Sequence, residues 1–102
     1  MKKIYEFNRD CGRMGSLDGI FVATHDEVGK IVGEEIYFGE VLGKHSDICI
    51  TLREIDLRVL SDDREFVAQF IEVIGEGTIS GFNPLDYYDE EDEYNAWQIE
   101  TK

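Results

Sequence analysis

The sequence predicts an α+β domain, a mainly antiparallel four- to five-stranded sheet with two helices packed on one face. Three observations carry that prediction. Ile48, Ile50 and Leu52 alternate with polar residues, as do Ile55, Leu57 and Val59, the period of half-buried strands. Thr24 and Glu27 stand at the spacing of a helix capping box. Phe66, Val67, Phe70, Ile71 and Ile74 fall at helical spacing and end at Gly75.

Element by element, Lys2 to Phe7 reads as a strand with Tyr5 and Phe7 on one face. Asn8 to Gly19 holds three glycines and little periodicity, which predicts a long loop. Ile20 to Ala23 is a short buried strand. A helix capped by Thr24 follows, with Val28, Ile31 and Val32 toward the core and Gly33 after it. Glu34 to Leu42 reads as a strand with Ile36 and Phe38 on one side, Tyr37 on the other and a bulge at Gly39. After a turn from Gly43 to Ser46, the two alternating runs predict a hairpin from Ile48 to Val59. Asp62 is placed to cap the second helix, with Glu65 three residues on. Thr78 to Tyr88 reads as an ordered loop or edge strand.

With 102 residues the chain holds one domain, and about 65% of its unfolded surface can be buried, enough for a core without staples. The expected division is 1–88 for the α+β domain and 89–102 for an acidic C-terminal segment docked through Tyr94 and Trp97. Charge is unevenly placed. Residues 1–60 carry 8 basic and 11 acidic side chains, whereas residues 61–102 carry 2 basic and 12 acidic. The net charge of −13 disfavours direct binding to nucleic acid or to anionic membranes and favours a basic protein partner.

Three constellations could carry chemistry. The first is the acidic face of Glu72, Glu76, Asp86, Asp89, Glu90, Glu91, Asp92 and Glu93, interleaved with Tyr87, Tyr88, Tyr94 and Trp97 as apolar anchors. Carboxylates at helical or strand spacing sit close to the phosphate spacing of a nucleic-acid strand, so such a face can occupy an Arg and Lys channel. A charge run also serves as a solubilising tail, and that alternative stays open. The second is Arg9 and Arg13 in the Gly-rich loop with Lys44, His45 and Ser46, a concentration of anion-binding groups suited to a nucleotide or cyclic nucleotide, with Tyr37 or Phe38 stacking on the base. Its spacing is not that of a Walker loop, and an ordinary polar turn explains it equally well.

The third is catalysis. His45 with Asp47 or Asp10, and Cys11 or Ser46 as nucleophile, can be drawn as a triad, but nothing in the spacing enforces one. His25, Asp26 and Glu27 are explained by helix capping, and the acidic run lacks a calcium-loop pattern. The expectation is no enzyme, no metal and no cofactor. Cys11 and Cys49 match no paired motif and read as reduced thiols.

Small size, strong negative charge and the segment Asp86 to Tyr94 resemble phage-encoded inhibitors of host defence, including anti-CRISPR proteins of the DNA-mimic type. That resemblance implies a non-enzymatic inhibitor that blocks a basic, nucleic-acid-binding host protein, and by it the host cytoplasm is the expected location. An apolar run long enough for a membrane span or a signal peptide is missing from the sequence, which also fits a cytoplasmic protein. An unpaired sheet edge leaves a homodimer open.

Overall fold

The chain begins with a hairpin, β1 (Lys2–Asp10) and β2 (Ser16–Thr24), antiparallel and in unbroken register from Lys2 opposite Thr24 to Asp10 opposite Ser16. The computed structural model describes residues 1–43 and 47–88. The stretch expected to be a long loop is therefore mostly ladder, closed by a short 3-10 turn at Gly12–Met14. Its glycines misled because one of them, Gly19, lies inside β2 where another backbone comes close. A side chain there would collide with the backbone of Phe82.

Thr24 caps α1 (His25–Ile31) as the sequence predicts: Glu27 N donates to Thr24 Oγ1 at 3.0 Å, and Thr24 N donates to Glu27 Oε1 at 2.8 Å. After it come β3 (Glu35–Gly39) and β4 (Ile48–Thr51), antiparallel to one another, with a register shift between Tyr37 and Gly39. A 3-10 turn at Glu54–Asp56 leads into β5 (Leu57–Ser61), then α2 (Arg64–Val73), β6 (Gly77–Gly81) and the short α3 (Pro84–Tyr87).

The class is α+β, but the strands form two sheets. One has the order β5-β1-β2-β6, and the other is the β3-β4 pair. The expected hairpin from Ile48 to Val59 does not form. Its first half pairs with β3 and its second with β1, because the turn between them carries the chain from one sheet to the other. The alternation holds in β4, where Ile48 and Ile50 are buried, but not in β5, where Leu57 is partly buried and Val59 and Leu60 are exposed, and alternation alone does not name a partner. Ile55, counted in the alternating run, sits in that turn and is exposed.

The large sheet is covered on both faces, so the two helices do not share one. Tyr5, Phe7, Leu17, Phe21 and Ala23 pack with Val28 and Ile31 of α1 and with Ile36, Phe38, Ile48 and Ile50 of the small sheet. Ile4 and Val22, pointing oppositely in the same strands, pack with Val67, Phe70 and Ile71 of α2. Phe7 stacks on Phe38 at 5.9 Å across the first core, and Tyr5 on Phe21 at 5.4 Å within it.

Helix α2 starts one residue later than expected. Asp63, not Asp62, is the cap: its Oδ1 accepts from Glu65 N at 3.1 Å and Phe66 N at 3.4 Å. Asp63 N in turn donates to Ser61 Oγ at 3.3 Å, which ties the cap to the end of β5. Of the predicted apolar stripe only Val67 is fully buried; Phe66 and Ile74 are exposed. Gly75 closes the helix with φ +115°, the left-handed conformation that favours glycine.

Candidate functional site

Strand β6 and helix α3 gather the first of the predicted acidic residues. Asn83 caps α3 through Oδ1, which accepts from Leu85 N at 3.0 Å, and Pro84 opens the helix. Asn83 is buried, and its Nδ2 donates to Thr78 Oγ1 at 3.1 Å. The Thr78 hydroxyl donates onward to a carboxylate oxygen of Asp86. A sequence-local loop thereby fixes the direction of one charge.

Asp86 lines a groove of about 310 Å³ together with Glu76, Glu27, Lys2, Val22 and Leu85. Two residues predicted for the acidic face, Glu76 and Asp86, thus meet in space and are joined by Glu27 from α1. Lys2 pairs with Glu76 at 3.0 Å, which leaves this groove with more carboxylates than cations. The backbone hydrogen bond from Thr24 is the largest influence on Glu27 and holds its carboxyl below the ordinary range, so it is ionised at neutral pH.

Helix α2 ends in Glu72 and Val73, and Ile74 caps it. Val73 is 79% exposed and Ile74 57% exposed, next in sequence to Gly75 and Glu76. The sequence reading assigned Ile74 to the core and overlooked Val73. The usable signal was the width of the stripe: with Val73 included, apolar residues at the end of α2 cover more of the helix than one packed face can bury.

Tyr87 and Tyr88 are each partly buried. The Tyr87 ring lies 4.6 Å from that of Phe38, and both tyrosines pack against the main core. These contacts dock α3 on the core. Asp89, Glu90, Glu91, Asp92, Glu93, Tyr94 and Trp97, with the rest of the expected 89–102 segment, lie outside the described residues.

Of the alternative, anion-binding constellation, Arg9 and Arg13 are among the described residues. The turn after β1 and the start of β4 do come together, lining a cleft of about 190 Å³ with Arg9, Asp10, Cys11, Met14, Asp47 and Cys49. Arg9, however, is engaged: its Nη1 donates to Asp56 Oδ2 at 2.8 Å and to Thr51 O at 3.0 Å. Asp10 and Asp47 add negative charge where a phosphate would need positive charge. Arg13 is exposed on the 3-10 turn, and Lys44, His45 and Ser46 lie outside the described residues. Phe38 is buried against Phe7 and Tyr87, so it does not stack on a base. Tyr37 is exposed, and its hydroxyl donates to Asp47 Oδ1 at 3.3 Å; the Asp47 charge raises the Tyr37 pKa.

Cys11 and Cys49 are free thiols. Among the described residues no cluster of three or more His, Cys, Asp or Glu side chains is arranged to hold a metal ion. None of their helices is long and apolar enough to cross a membrane. No protein-family model, curated protein or solved structure matches the chain, so the chemistry of this site rests on its own residues.

Proposed function

We propose that the protein is a non-enzymatic binding protein whose acidic groove engages a basic, nucleic-acid-binding protein and blocks it. The observation that carries this reading is the convergence of Glu27, Glu76 and Asp86 on one groove; Val73 and Ile74, exposed and only two or three positions before Glu76 in the chain, add apolar surface. Carboxylates alone give attraction that salt screens within about 10 Å at 0.1 M. Apolar side chains that lose water on contact add affinity that salt does not remove. A surface with both can compete with a nucleic acid, which offers only its backbone charge and its bases. Phage-encoded inhibition of host defence, which the composition resembles, is the setting in which such competition would act.

The test uses a sequence-nonspecific basic DNA-binding protein held on immobilised duplex DNA. The full chain at increasing concentration should release it at 50 mM salt and less well at 300 mM. Changing Glu76 and Asp86 to Gln and Asn should weaken release about tenfold, and Val73→Ser with Ile74→Ser should weaken it at both salt concentrations. Release by the charge-neutral variant equal to that by the unaltered chain would remove this groove from the reading.

A further inference from the structure

A wider groove runs between α1 and the edge strand β5. Its volume is about 480 Å³, and Tyr5, Val28, Val32, Leu57 and Val59 form its apolar walls. Gly29 opens one side, and Lys3, His25 and Glu54 stand at its rim. None of the acidic residues discussed above lines it.

Two observations single this groove out. Tyr5 is 3% exposed, and its hydroxyl is buried with no hydrogen-bond partner among the described residues. A buried hydroxyl without a partner is a standing penalty, and natural structures satisfy nearly all such groups. Gly29 lies within α1, where glycine is less favourable than alanine, and a Cβ added there would meet nothing within 4 Å. The missing side chain leaves open the space that the groove occupies.

We propose that this groove binds a small, neutral, mainly apolar molecule carrying one carbonyl-type hydrogen-bond acceptor, which pairs with the Tyr5 hydroxyl. The volume accommodates a ligand of about one or two fused rings with a short chain. Burial raises the Tyr5 pKa, which keeps the hydroxyl protonated and able to donate. Lys3 and His25 line the same groove as further donors, with Glu54 as its one carboxylate. The ligand's acceptor is therefore matched by the wall. A net charge of −13 selects a neutral carbonyl over a carboxylate.

The probe is 6-propionyl-2-dimethylaminonaphthalene, a neutral aryl ketone whose emission reports both polarity and hydrogen bonding at its carbonyl. Its companion is 2-dimethylaminonaphthalene, which lacks the ketone. The full-length chain should take up the ketone with a blue-shifted, brighter emission. Tyr5→Phe removes only the hydroxyl and should weaken ketone binding about fivefold while leaving the companion's affinity unchanged. Gly29→Leu fills the groove and should abolish binding of both, with Val59→Trp as a second filling variant from the opposite wall. Thermal unfolding of each variant establishes that it is folded. No uptake by the unaltered chain, uptake that survives both filling variants, or a Tyr5→Phe affinity for the ketone equal to that of the unaltered chain would each overturn the proposal.

Discussion

Arg9 on β1 and Asp56 in the turn before β5 are joined by a hydrogen-bonded ion pair, Nη1 to Oδ2 at 2.8 Å, across 47 positions of sequence. Asp56 is 3% exposed, and Arg53 closes on it from the other side, Nη2 to Oδ1 at 2.8 Å. Arg53 N also donates to Asp56 Oδ2 at 2.9 Å. One carboxylate therefore holds the turn at which the chain passes from the small sheet to the large one. Arg9 also reaches Thr51 O at the end of β4, which ties both sheets to the same guanidinium.

Removing that carboxylate leaves Arg9 in a part-buried site without its counter-ion. Asp56→Ala should cost about 3 kcal/mol and lower the Tm by about 15 °C. Arg53 is half exposed, so Arg53→Ala should cost only about 1 kcal/mol. Thermal unfolding of the two variants side by side measures the order; an equal loss would mean that the carboxylate does not bridge the sheets.

Acid should act through the same residue. Burial alone would raise the Asp56 pKa, but hydrogen bonds from Arg53 and the charges of Arg9 and Arg53 outweigh it and leave it below the ordinary range. A carboxylate lowered on folding stabilises the fold above its unfolded pKa of about 3.9, and that contribution is lost as the pH falls through the folded value. Unfolding free energies of the unaltered chain should decline from about pH 5 to pH 2, and those of Asp56→Asn should decline less steeply.

Gly81 has φ +69°, and a Cβ there would meet Asp18 O and Gly19 Cα where β6 pairs with β2. Gly81→Ala should cost at least about 2 kcal/mol, from the disfavoured backbone and the collision together. Gly29→Ala should be neutral or stabilising by up to about 1 kcal/mol, since its Cβ would meet nothing. Chemical denaturation distinguishes the two, and equal effects would mean that β6 does not approach β2 as closely as described.

The two long helices each rest on a side-chain cap. Thr24→Ala and Asp63→Ala should each cost about 1 kcal/mol. Thr24→Ala should leave the acid dependence of stability nearly unchanged, because the Thr24 backbone N–H, the largest influence holding Glu27 below its ordinary pKa, survives the substitution and only the smaller contribution of the hydroxyl is lost. Asp62→Ala should be close to neutral, which tests the position of the cap directly.

Local features of this chain are set by its sequence. The capping box at Thr24, the stop at Gly75, the alternation of Ile36 with Phe38 and of Ile48 with Ile50, and the α+β class all depend on neighbours within a few positions. So does the acidic charge balance. Pairing depended on contacts that no local pattern encodes. The apparent hairpin divides: β4 pairs with β3, the strand before it in the chain, while β5 pairs with β1 at the far end, and the buried ion pair of Asp56 with Arg9 holds the turn between them. The candidate sites were decided in the same way. Glu27, Glu76 and Asp86 share a groove only because β6 lies beside β2, and Arg9 is withdrawn from its predicted ligand role by a carboxylate 47 positions away. Local sequence fixes the period and direction of an element, whereas the burial of its apolar face selects its partner, and that selection places the side chains that can act together.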